Sequence, residues 1–120
     1  PTTPEGEKRQ AEEMEDMYSF LFAHPLVEAV TGWDFTDGAW LGAPSGVLRA
    51  DNSKKPSYDM LQDLIHREWH TSEKIRTDEN GMAVLTGFKG TYSLTGEKAC
   101  GNFHLGQEKE CITVTCSLWK

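Results

Sequence analysis

The hydrophobic and polar positions change period several times along this chain, and the changes mark its elements. Between Thr3 and Phe22, Ala11, Met14, Met17, Tyr18, Leu21 and Phe22 recur at three- and four-residue spacing among charged residues, which predicts an amphipathic helix. Thr3 suits the N-cap, and Pro4 suits the first helical position, where its missing N–H costs nothing. His24-Pro25 ends the helix, because the residue before a proline is pushed out of the helical region. Residues 27–35 then form a short, largely apolar run with β-branched Val27, Val30 and Thr31, as expected of a strand covered on both faces in a parallel sheet. Glu28 would lie at its entry end.

Residues 36–55 predict a long loop, with Gly38, Gly42, Pro44, Gly46 and the polar run Asp51-Asn52-Ser53-Lys54-Lys55. Loops of that length without structure of their own are uncommon and often functional. Pro56 opens a second amphipathic helix reaching about Trp69, with Tyr58, Leu61, Leu64, Ile65 and Trp69 on one face. From Thr71 the texture changes. Asp78-Glu79-Asn80-Gly81 and Thr95-Gly96-Glu97 are turn signals, and residues 87–94 alternate with period two. Residues 103–105 and 112–118 add two further runs, so a small antiparallel unit of about four strands is expected.

At 120 residues the chain is the size of one ordinary domain with a modest core. No apolar run approaches the ~20 residues of a membrane span. The start shows no targeting pattern and no Met, so it is expected to be a processing site or an arbitrary boundary. A net charge of −7 disfavours nucleic acid or an anionic membrane as partner. Much of the acidity, Glu5, Glu7, Glu12, Glu13, Glu15 and Asp16, falls on the first helix, where a solvated face is expected.

Three cysteines, Cys100, Cys111 and Cys116, cannot all pair internally. A symmetric loop in the last hairpin brings Cys100 opposite Cys116, a possible disulfide. That register, however, puts Phe103 and Leu105 on the opposite face from Ile112 and Val114. Slipping by one residue collects Phe103, Leu105, Ile112, Val114, Cys116 and Leu118 on one face and favours Cys116 as a buried thiol.

The candidate chemistry lies in residues 27–40, where Trp33 and Trp40 flank a Gly-punctuated loop. An indole offers a flat apolar face and one N–H donor, which suits the C–H face of a pyranose ring; from the residues alone, the default reading is that both indoles are core. Asp34 and Asp37 sit three apart on one strand and loop, with no second element facing them as a catalytic partner. His24, His66, His70 and His104 lack the spacing of a zinc site, and His66 and His70 are expected to be exposed helix residues. No phosphate-cradling glycine loop or nucleophilic Ser or Cys motif is present. No metal or cofactor is expected.

A lone parallel-type strand between two helices cannot complete its own hydrogen bonding, which suggests the end of a repeated β/α array. The residues Ala23-His24-Pro25-Leu26-Val27-Glu28-Ala29-Val30-Thr31-Gly32-Trp33-Asp34-Phe35-Thr36-Asp37, then Trp40, Gly46-Val47-Leu48 and Lys55-Pro56-Ser57-Tyr58, resemble the C-terminal end of glycoside hydrolase family 10, the endo-β-1,4-xylanases. Glu68-Trp69-His70-Thr71, Thr77-Asp78, Gly81 and residues 87–92 resemble the β extension of plant and animal members. The resemblance implies an α/β fold: residues 1–70 as the terminal helix–strand–helix portion of a (β/α)8 TIM barrel, and residues 71–120 as a small antiparallel β extension. Trp33 and Trp40 would bind substrate, lining the sugar site next to the cleaved bond. Asp34 stands where the family usually has Gly, and Leu41 where some members carry Arg.

The family's reaction is retaining hydrolysis by two glutamates roughly 5–5.5 Å apart. The resemblance places both upstream of Pro1, so no catalytic residue is expected in this chain, and the piece alone would be inactive. The implied partners are xylan or another β-1,4-linked polysaccharide and the remainder of the barrel, in an extracellular setting, with no nucleic acid and no membrane. A non-catalytic carbohydrate-binding or interaction module is the alternative. In a third reading, only the β part from about Thr71 is autonomous.

Overall fold

A computed structural model describes residues 1–96, 99–106, 112–114 and 117–118. The chain divides into two units, Pro1–Glu68 and Trp69–Lys120.

The first unit begins with helix α1, Pro4–Ala23. Its start follows from the sequence: the Thr3 hydroxyl accepts the Gly6 N–H at 3.2 Å from an extended backbone, and Pro4 follows. His24 caps the other end, its N–H donating to the Leu21 carbonyl. Glu7 and Ala11 are buried, with Gln10, Met14, Tyr18 and Leu21 half-buried, so the covered stripe keeps helical periodicity. Helix α2, Pro56–Asp63, also starts on a proline and runs into a π-helical turn, Leu64–Glu68. The expected single helix to Trp69 therefore changes its winding at Leu64.

The expected strand at residues 27–35 is not formed. Among the described residues, residues 28–33 make no hydrogen bond, and pairing is confined to the end of the run, where the Phe35 carbonyl accepts the Val47 and Leu48 N–H groups and Thr36 forms an isolated bridge with Leu48. A β-branched apolar run becomes a strand only beside another strand, and among the described residues none lies there. The expected end of a (β/α)8 barrel is corrected accordingly: this unit is two helices joined by a long hydrogen-bonded loop, with no strand between the helices.

The loop is held against both helices mainly by polar contacts. Glu7 and Arg49 form a two-pronged ion pair, Arg49 Nε to Oε1 at 2.8 Å and Nη2 to Oε2 at 2.5 Å. Gln10 Nε2 donates to the Ser45 and Gly46 carbonyls, while its Oε1 accepts from Ser57 on α2. Gly46 passes so close to the backbone of residues 35–37 that an added Cβ would lie 2.6 Å from the Thr36 carbonyl carbon. Only glycine allows that approach. Glu7 thus leaves the expected solvated acidic face and becomes a buried anchor.

In the second unit, residues 70–89 hold no helix or strand beyond a turn at Asp78, whose carboxylate accepts the N–H groups of Asn80 and Met82. Strands β1, Gly90–Thr95, β2, Ala99–Leu105, and β3, Ser117–Leu118, form an antiparallel sheet in the order β1-β2-β3. Among the described residues there are three strands where about four were expected. Tyr92 pairs with Phe103 across β1 and β2, their rings stacked at 5.2 Å, and the Tyr92 hydroxyl donates to the Phe88 carbonyl. Ala99 pairs with Leu118 and Cys100 with Ser117, which is the slipped register. Cys100 therefore pairs with Ser117 in the ladder; Cys111 and Cys116, the latter the expected buried thiol, lie outside the described residues.

Two outcomes follow from this architecture. Limited trypsin digestion should cut first after Lys74 or Arg76, which are exposed and outside any helix or strand, and leave a fragment carrying both helices. Early cuts at Arg49 or Lys54, with residues 74 and 76 intact, would contradict it. The second concerns acid. Hydrogen bonds from Arg49 hold the Glu7 carboxyl below its ordinary value of 4.5, against the opposing effect of burial. A depressed carboxyl contributes stability above its unfolded value and loses it as pH falls through the folded one. Melting temperature should therefore fall as pH drops below 4.5, and the fall should be shallower in Glu7→Gln. Parallel curves for the two proteins would show that this pair does not carry the acid sensitivity.

Candidate functional site

Residues 33–55 bring together most of the chemistry the sequence offers. At their centre is an ion pair between Asp37 and Lys55, whose side chain is completely buried. Lys55 Nζ donates to Asp37 Oδ1 at 2.6 Å and to the Pro44 carbonyl at 3.3 Å. Asp37 Oδ1 also accepts the Gly46 N–H at 2.9 Å. Main-chain bonds repeat the link: the Asp37 N–H donates to the Leu48 carbonyl and the Lys55 N–H to the Val47 carbonyl.

Around this pair the loop folds into short closed segments. Residues 38–43 make a tip in which the Gly38 N–H donates to the Ala43 carbonyl at 2.9 Å and the Ala43 N–H to the Trp40 carbonyl at 2.8 Å. Gly38, Leu41 and Gly42 take positive φ there, +86°, +51° and +73°. For Leu41 this is the sterically crowded left-handed region. Further on, the Ser53 hydroxyl and N–H donate to Asp51 and hold its carboxyl below its ordinary value of 3.8. Arg49, raised above its usual range chiefly by its bonds to Glu7, also donates to the Ser53 hydroxyl and the Lys54 carbonyl.

Both tryptophans are exposed, Trp33 far more than Trp40. Trp33 is 84% exposed and Trp40 49%, and Leu41 beside Trp40 is 87% exposed. Among the described residues, neither indole makes a hydrogen bond or a ring contact. The loop therefore carries both without bringing them into contact. Asp34 and Asp37 are engaged elsewhere: Ser45 Oγ donates to Asp34 Oδ2 at 2.6 Å, and Asp37 is neutralised by Lys55. His66 and His70 are exposed, and among the described residues no group of three His, Cys, Asp or Glu side chains could hold a metal ion.

Sequence reasoning missed the residues that build the site. Lys55 stood in a polar run and in the Lys-Pro-Ser-Tyr motif, and Glu7 in an acidic run, and neither was expected to be buried. A signal for Lys55 was its place directly before the Pro56 that opens a helix: a residue so close to a packed helix start is drawn inward. The charge partner, 18 positions earlier, had no such marker.

No protein-family model matches the chain. It is similar to the anti-sigma-I factor RsgI6 of Acetivibrio thermocellus, with 31% identity over 94 residues, which is 78% of this chain and 12% of that protein. The chain thus spans about an eighth of the length of the curated relative it matches. That relative is named for the control of a sigma factor and not for the hydrolysis of a glycoside, which overturns the expected membership of glycoside hydrolase family 10. The xylanase fragment, its classification among xylan-degrading hydrolases, and the β-1,4-linked polysaccharide and remaining barrel as partners rested on that resemblance and are set aside with it.

Proposed function

We propose that this chain is a protein-binding module with a regulatory role, presenting Trp33, Trp40 and Leu41 to a sigma factor, and that it carries no catalysis of its own. The exposure of two indoles and a leucine on a loop anchored by a buried ion pair carries this reading. Large rigid aromatics dominate protein interfaces because they bury much apolar area while losing little side-chain freedom. The engagement of Asp34 by Ser45 and of Asp37 by Lys55, both within the loop, supports a structural use of these carboxylates beside a binding role for the exposed side chains.

The choice of partner draws on the relative's name and on charge. A sigma factor engages promoter DNA and so presents a basic surface. This chain has a net charge of −7, and Glu5, Glu12, Glu13, Glu15 and Asp16 are exposed along α1. An acidic face opposite a basic one speeds encounter and selects the partner, while the indoles supply contact area.

Titrating the full chain with a purified sigma-I-type factor, followed by tryptophan fluorescence and calorimetry, tests the proposal. Saturable binding is expected, with Trp33→Ala about tenfold or more weaker, as for a central aromatic contact, and a further loss in high salt. A correctly folded chain that gives neither heat nor a fluorescence change with the sigma factor would overturn it.

A further inference from the structure

Beyond carrying the loop, the buried pair has a particular placement relative to the tip. Asp37 immediately precedes residues 38–43 and Pro44 immediately follows them. The Lys55 ammonium donates to both, to the Asp37 carboxylate at 2.6 Å and to the Pro44 carbonyl at 3.3 Å. One cation thus bridges the two feet of the segment that bears Trp40 and Leu41. The same carboxylate oxygen takes the Gly46 N–H, which fixes the outgoing foot a second time.

We propose that Asp37 and Lys55 are positioning residues for the contact surface: their buried bridge closes the base of the 38–43 tip and so sets how Trp40 and Leu41 are presented. The proposal rests on the reading of that tip as a contact surface. Packing of the helices does not require the bridge. Other groups join α1 to the loop and to α2, namely Glu7 with Arg49, and Gln10 with Ser45, Gly46 and Ser57. The tip has weaker means of its own. Its internal bonds are two main-chain contacts, Gly38 to Ala43 and Ala43 to Trp40, and Leu41 sits in a left-handed conformation that a free loop would abandon. A tip ordered before binding avoids the ordering cost at the moment of contact.

The test uses the full chain with Trp33→Phe, Trp69→Phe and Trp119→Phe, so that Trp40 is the sole fluorophore. Into it are placed the paired change Asp37→Asn with Lys55→Met, which removes both charges while keeping volume and the acceptor for Gly46, and separately Glu7→Gln, which loosens α1 from the loop without touching the tip. Time-resolved anisotropy and acrylamide quenching of Trp40 are read well below the melting temperature. The paired variant should melt close to its parent yet show fast local motion of Trp40 and easier quenching, and Glu7→Gln should leave both unchanged. If the paired variant does not fold, Asp37→Glu, which displaces the carboxylate from Gly46, should give the same spectroscopic change.

Unaltered Trp40 motion in a folded variant would overturn the proposal, as would an equal change in Glu7→Gln. A separate arm keeps Trp33 and measures sigma-factor affinity, where the paired change should weaken binding about tenfold by returning the ordering cost. A mobile Trp40 with unchanged affinity would instead count against the tip as a contact surface, so the two failures are told apart.

Discussion

A fully buried lysine ammonium is costly to place, and the first unit is arranged around satisfying the one at Lys55. Among the described residues the buried hydrophobic set is only Ala11, Val47 and Leu64, matched by an equally large buried polar set, Glu7, Lys55 and Ser57. Side chains of that kind contribute at most about 1.5–3 kcal/mol each on burial. Ordering the loop costs about 1–2 kcal/mol per residue in backbone freedom. Apolar burial alone therefore does not select one loop conformation. The selection comes from polar groups that each have few acceptable partners: a buried ion pair adds little net stability, but losing one member costs about 3–5 kcal/mol. Loop conformations that leave Lys55 unpaired are disfavoured by that margin.

The contacts form a connected set. Gln10 touches Ser45, Gly46 and Ser57, Gly46 touches Asp37, and Asp37 touches Lys55, the residue just before α2. Arg49 joins Glu7 to the far end of the same loop. No buried side-chain polar atom among the described residues lacks a partner. In such a network neighbouring bonds support one another, while Glu7 with Arg49 and Asp37 with Lys55 hold different parts of the loop. Gly46 shows the same tightness sterically, since there is no room there for a methyl group.

This explains which features were readable in the sequence. The caps of α1, the proline start of α2, the aspartate turn at Asp78 and the alternation in β1 were readable because each depends on residues a few positions apart. The burial of Glu7 depends on Arg49, 42 positions away, and that of Lys55 on Asp37, 18 positions away. Nothing in a run of acids or a polar loop says which member will find such a partner. The missing strand at residues 27–35 has the same origin: β-branched residues permit extension, but the ladder needs a neighbour that local sequence cannot supply. The change to π-helical winding after Asp63 had no counterpart in the apolar spacing of residues 57–69.

The mistaken resemblance is instructive for the same physical reason. Several of the residues that suggested a glycosidase have structural work that is independent of sugar chemistry. Pro56 starts a helix, Lys55 neutralises Asp37, and Gly46 allows two backbones to touch. In this chain those residues serve the construction of the helix–loop–helix arrangement, so they report the loop and not its ligand. Trp33, Trp40 and Leu41 are different, because among the described residues neither indole has a hydrogen bond or a ring contact, and Leu41 is the most exposed of the three. Side chains that the fold does not use, carried on a loop that the fold holds firmly, are where selection for binding leaves its mark. Of the three, Trp40 and Leu41 stand on the tip whose feet the Asp37–Lys55 pair joins, while Trp33 lies before it.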